Sequence, residues 1–105
     1  MTTFDNRENA FENKFAHDAE LAFKVVARRN KLLGLWAAEQ LGLAGEAAET
    51  YARSVVAADL EEAGDEDVIR KLMADLAGVG IGDGEIRTAL KDKAIAARHQ
   101  IMEAM

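Results

Sequence analysis

Apolar residues recur along this chain at intervals of three and four, the spacing that lines one face of an α-helix, and glycines divide the pattern into four blocks. The first block runs to Leu41 and stops at Gly42, with Gly45 close behind, since glycine just past the last periodic residue is the usual helix stop. The second, over residues 46–62, carries Ala48, Tyr51, Ala52, Val55 and Val56 on one face and stops at Gly64. The third, over 66–77, has Asp65 as its expected N-cap, Glu66 and Asp67 in its positive first turn, and Val68, Ile69, Leu72, Met73 and Leu76 as its stripe. A glycine-rich connector from Gly78 to Gly84 leads to the fourth block, 84–104, where Asp83 is the expected cap and Ile86, Leu90, Ala94, Ala97 and Ile101 form the apolar line. Short connections favour antiparallel neighbours, so the pattern predicts an all-α protein, a four-helix bundle.

The first block has an internal division. Counting about 100° per residue from Leu21, the side chains of Leu32, Val25 and Trp36 fall at about 20°, about 40° and about 60°, and those of Leu33, Val26 and Ala37 at about 120°, about 140° and about 160°. This face is dense enough to be core, and Trp36 is expected inside it, against the third and fourth helices. Lys24, Arg28 and Lys31 form a basic edge between about 280° and about 340°. Counted backwards, Phe11, Phe4 and Phe15 land at about 80°, about 100° and about 120° and extend the stripe. Between Thr2 and Glu20, however, these rings are the only large apolar groups, separated by Asp5, Arg7, Glu8, Glu12, Lys14 and Asp18. So sparse a segment does not offset its own ordering entropy and is expected to be disordered or only fractionally helical in the free protein. It has what a groove-binding helix needs, namely aromatic anchors on one line with charges at their flanks. Residues 1–18 therefore read as a flexible N-terminal arm extending helix one, and 19–105 as the bundle, with helices near 19–41, 46–62, 66–77 and 84–104. The competing reading makes the three rings ordinary bundle core.

Composition sharpens this picture. Among 105 residues there are eight glycines, no proline and no cysteine, so helix is favoured throughout and a disulfide framework or thiolate metal site is excluded. The net charge of −6 argues against nucleic acid as a partner. Residues 1–31 hold six of the 13 basic groups against five of the 19 acidic ones, leaving seven against fourteen for the remainder. The front third differs electrically from the rest. No apolar run approaches the roughly 20 residues that span a bilayer, and the N-terminus lacks a secretory pattern, so a cytoplasmic protein without direct membrane insertion is expected.

The residues offer little chemistry. His17 and His99 stand alone, without partners at metal-ligand spacing, and no nucleophile pattern accompanies them. The glycines at 78–84 lack the Gly-Lys-Ser/Thr that contacts phosphate, so a helix connector is the better reading and no enzymatic activity is expected. Arg29, at about 80° in the middle of the apolar arc, is expected to pair with an acid of another helix, Glu49, Asp59 or Asp75, or to form an anion site with Arg28 and Lys31. In that second case the chain would be a nucleotide-binding helical sensor whose arm is incidental.

One resemblance rests on specific residues. The stretch Ala27-Arg-Arg-Asn-Lys-Leu-Leu-Gly-Leu-Trp-Ala-Ala-Glu39, preceded by Phe4-Asp-Asn-Arg-Glu8 and Phe15-Ala-His-Asp18, resembles the zeta subunit family of alphaproteobacterial F-type ATP synthases. Tyr51, the segment from Ala58-Asp59 to Gly64-Asp65-Glu66-Asp67, and Lys71 through Asp75-Leu76 carry the likeness over nearly the whole chain. Ala44 and Ala63 depart from the family pattern, both in the turns of the bundle. The resemblance implies a four-helix bundle with a mobile N-terminal arm that inhibits ATP hydrolysis by inserting at a catalytic interface of the synthase head. It implies no cofactor beyond a possible adenine nucleotide, and a location on the synthase at the inner membrane. On that footing the partner-binding residues are Phe4, Arg7, Glu8, Phe11, Glu12, Lys14 and Phe15, and the nucleotide-binding candidates are Arg28, Arg29 and Lys31.

Overall fold

The computed structural model describes the backbone of residues 3–59 and 65–104 and the side chains of 19–59 and 65–104. Four helices make an all-α bundle: α1 (Thr3–Gln40), α2 (Gly45–Asp59), α3 (Glu66–Leu76), a 3₁₀ turn at Ala77–Val79, and α4 (Asp83–Glu103). The backbone of α1 is helical from Thr3 and ends one residue before Leu41. Residues 60–64, including the expected end of α2 and the stop at Gly64, lie outside the described residues. None of the described helices is long and apolar enough to cross a membrane.

Two glycine turns stop helices by the same device. The Leu43 amide donates to the Ala38 carbonyl at 2.9 Å and the Gly42 amide to Glu39 at 3.1 Å. After the 3₁₀ turn, the Ile81 amide donates to Leu76 at 3.3 Å and the Gly80 amide to Ala77 at 3.2 Å. Both are six-to-one and five-to-two closures around a left-handed residue, and Gly42 and Gly80 each take φ of 78°. In the second turn the next residue, Ile81, folds back onto the core and locks the reversal.

The core is built from Leu33 and Ala37 of α1, Val55 of α2, Val68, Ile69, Leu72 and Leu76 of α3, and Ile86 and Ala89 of α4. The α3 stripe is as expected except for Met73, which is 43% exposed at the edge of its arc. The face of α1 differs more. Its buried residues, among those described, are Arg29, Asn30, Leu33, Gly34, Ala37 and Ala38. In the count from Leu21 they span an arc centred at about 170° rather than about 80°. Leu21, Val25, Leu32 and Trp36 thus sit on the rim, half-buried, and Trp36 packs against the core without being enclosed by it. The cause is a close approach of α2. A Cβ added at Gly34 would lie 2.6 Å from the Ala52 Cα and 3.1 Å from its Cβ, so the two backbones touch where both residues are small. Weighing large apolar groups misplaces such a face, because small residues set where helices come closest.

Neither acidic cap acts as expected. Asp65 precedes α3 but makes no side-chain cap, its carboxylate going instead to Arg29. Asp83 is the first residue of α4, after Gly82, and accepts from Arg87 Nε at 2.9 Å. Arg87 also reaches both Glu66 oxygens at 3.3 Å, joining the starts of α3 and α4.

A polar cluster ties α2 to α3. The Tyr51 hydroxyl donates to Asp75 Oδ2 at 2.7 Å, and Lys71 Nζ donates to the same oxygen at 2.9 Å while lying 5.1 Å from the Tyr51 ring centre. Burial, reinforced by the bond to Asp75 and its negative charge, pushes the Tyr51 phenol well above its ordinary value. For Asp75, burial pushes upward, but the bonds from Tyr51 and Lys71 and the Lys71 charge together outweigh it and hold the carboxyl below its usual range. In the unfolded chain Tyr51 would ionise at about pH 10. The stability it contributes is therefore complete below about pH 10 and is lost as pH rises toward the folded value. For Asp75 the sign reverses: its contribution is present above about pH 4 and is lost as pH falls through the depressed value. Because Tyr51 is the chain's one tyrosine, the near-ultraviolet absorbance change of phenol ionisation follows it alone. Its ionisation should coincide with alkaline unfolding; a titration at about pH 10 in a chain that stays folded would contradict the buried hydrogen bond.

Candidate functional site: helix α1 and its base

Helix α1 is 38 residues long, against 15 for α2 and 21 for α4. At about 1.5 Å per residue that is about 57 Å against about 22 Å and about 32 Å, so α1 outruns both neighbours. The longest dimension of the molecule is 64 Å, against 25 and 21 Å across. The anchored part lies toward its C-terminus: Gly34 meets Ala52, and Trp36 shares an open groove with Gly84, Thr88 and Ala89 of α4. Residues 3–18 belong to this helix as a direct extension, with backbone helical from Thr3. The side chains of Phe4, Arg7, Glu8, Phe11, Glu12, Lys14 and Phe15, and of His17, lie outside the described residues.

Arg29 fixes the base of α1. Nine-tenths buried, it donates through Nε at 3.1 Å and Nη2 at 2.9 Å to Asn30 Oδ1, and through Nη2 at 2.8 Å to Asp65 Oδ1. The expected pairing with an acid of another element is present, but the acid is Asp65, at the head of α3, and not Glu49, Asp59 or Asp75. Tyr51 and Lys71 already hold Asp75, and Lys31 approaches Glu49 at 4.0 Å. Asn30, only 1% exposed, escapes sequence reading altogether. Its one visible signal is a short amide on the helix sector shared with Leu33 and Ala37.

The three candidate nucleotide-binding residues are not brought together. Arg28 and Lys31 are exposed and line an open groove with Phe23, Lys24, Val56 and Ile101. Arg29 points the other way and is committed to Asp65 and Asn30. Within the groove Lys24 pairs with Glu20 at 3.4 Å and Arg28 reaches Gln100 at 3.5 Å. Phe23, 63% exposed, is a surface residue that the helical count does not single out. It lies at about 200°, the same sector as buried Asn30, at the open groove it shares with Val56 and Ile101. Among the described residues no group of three or more His, Asp or Glu side chains could hold a metal ion.

Comparison with known proteins agrees with the fold. The family model for "ATPase inhibitor subunit zeta" matches residues 1–100. A structure solved by solution NMR is similar at 48% identity with a TM-score of 0.72, covering 79% of this chain and 96% of that one. No curated protein matches the chain.

Proposed function

The chain belongs to the ATPase inhibitor subunit zeta family, and on that premise we propose that it blocks ATP hydrolysis by the F-type ATP synthase through insertion of the N-terminal part of α1 at a catalytic interface of the head. The inhibitory role comes with the family; the manner of inhibition is our reading. The observation that supports it is the length of α1. One unbroken helix starts at Thr3 and runs into the core, while the helices packed on it end far short of its N-terminus. Phe4, Phe11 and Phe15 supply the anchors, and Arg7, Glu8, Glu12 and Lys14 set register through ion pairs at the rim of the contact. The protein acts as a regulatory subunit peripheral to the membrane-bound synthase. An anion site built on Arg28 and Lys31 would lack Arg29, and no arrangement of the described side chains favours the nucleotide-sensor reading over this one.

Deleting residues 1–18 tests the proposal directly. The truncated chain should keep its helical circular dichroism and its melting transition, because the buried residues, among those described, all lie at position 29 or beyond. It should no longer slow ATP hydrolysis by the purified synthase at any concentration. Undiminished inhibition would mean that the bundle, not the arm, carries the activity.

A further inference from the structure

A second surface has the character of an interface and lies away from the arm. Lys91, Ile95, Arg98 and Met102 follow one another on α4 at spacings of four, three and four, within a sector about 60° wide. That sector faces away from Ile86 and Ala97, which are fully buried. Ile95 is 55% and Met102 59% exposed, two of the few large apolar side chains that the described surface leaves open. Val25 of α1 and Ala94 complete an apolar floor beside Ile95, and Lys91, Arg98 and His99 form its walls. Among the described residues no carboxylate lines this groove. Among the described residues neither Lys91 nor Arg98 stands in an ion pair. The neighbouring acid, Asp92, lies in the separate groove beside Trp36. The chain as a whole is acidic, and after position 31 its acids outnumber its bases two to one. An apolar strip whose cationic walls pair with none of the described acids is selective in sign: it attracts an acidic amphipathic segment and repels the same strip on a second copy of the chain.

We propose that the α4–Val25 groove receives an acidic amphipathic helix of the same synthase head that the arm engages, holding the bundle against the head as a second contact. The inference rests on the family's inhibitory role, and it adds a partner site on the bundle that is separate from the arm. Its contribution is to affinity and encounter rate; the block itself belongs to the arm. Apolar contact at Ile95 and Met102 slows release, and the cationic walls speed association in a salt-dependent manner.

The experiment uses the full chain with Lys91→Glu/Arg98→Glu and, separately, Ile95→Asp. All three positions are solvent-exposed, so the variants should melt as the parent does. Titrated against the purified ATPase at low salt, each should need about ten times more protein for half-inhibition, with full inhibition still reached at saturation. The charge-reversed variant should also lose most of the parent's salt dependence. Direct binding of the chain lacking residues 1–18 to the head should be weak but measurable, and the same charge reversal should remove it. Unchanged half-inhibition by both variants would overturn the proposal, as would a parent dimer in sedimentation that the variants dissolve, since the groove would then belong to a second copy. Failure of the arm reading has a different signature: the chain lacking residues 1–18 would still inhibit.

Discussion

Replacing Phe11 and Phe15 together with alanine should abolish inhibition of ATP hydrolysis and leave the melting temperature of the bundle nearly unchanged. The expectation follows from where α1 has neighbours. Its described contacts with α2 and α4 gather around Gly34, Trp36 and the residues that line the grooves from Phe23 onward. Position 15 is eight residues before Phe23, about 12 Å further along the helix, and position 11 further still. Truncating the two rings therefore removes burial that is available in the complex and costs the free bundle little. Anchors of this kind contribute about 2 kcal/mol or more each, and two of them correspond to about a thousandfold in affinity. Titration of hydrolytic rate beside a thermal melt checks both halves. Full inhibition by the double variant would remove the arm from the mechanism. A large fall in melting temperature would show the rings to be core, the competing reading of the sequence.

The second large effect is on stability and centres on a residue with no side chain. Gly34→Leu should destabilise the bundle by about 3 kcal/mol or more, at or above the upper end of the usual range for overpacking. Even a methyl group there would lie 2.6 Å from the Ala52 backbone and 3.2 Å from the Val55 Cγ2, and a backbone atom cannot turn aside as a side chain can. Gly34→Ala should be milder, because the better helix propensity of alanine, about 1 kcal/mol, offsets part of the strain. A domain of this size has only about 5–15 kcal/mol in total, so the leucine variant loses a large share. Denaturant melts of the two variants should rank them in that order. A leucine variant as stable as the parent would show that α1 and α2 do not cross at this glycine.

The helical period carries most of the architecture. Val68, Ile69, Leu72 and Leu76 are readable as core because they are large, apolar and correctly spaced, and Gly42 marks its turn because only a left-handed residue closes α1 there. The errors have a common origin. Size alone puts Trp36 and Leu32 at the centre of the α1 face, whereas closeness of approach is governed by Gly34, Ala37, Ala38 and Ala52, which a hydropathy count scarcely registers. Local rules favour acids before helices and so make Asp65 a cap. A buried guanidinium from a residue 36 positions away competes for the same carboxylate and wins it. That competition is tertiary, and no local pattern encodes it. The seven arm residues are proposed from sequence alone, as anchors at seven- and four-residue spacing among charges, and their side chains lie outside the described residues. The strip on the outer side of α4 is hidden for the opposite reason. Its apolar members are two residues set among lysine and arginine, and only the fold shows which side of α4 is turned outward.

The continuity of α1 has a thermodynamic consequence for any segment that folds as it binds. Starting a helix in water is the unfavourable step, with a statistical weight of about 10⁻³, whereas adding residues to an existing turn is close to neutral. In this chain the starting turns are supplied permanently by the bundle, where Arg29, Leu33 and Ala37 are held by tertiary contacts. Residues before them lengthen a helix that is already begun, and no proline interrupts the growth. A detached peptide of the same sequence would have to begin its own, at a disadvantage on the order of a thousandfold. The folded domain is thus a seed crystal for its own terminus, so that few apolar anchors would suffice there.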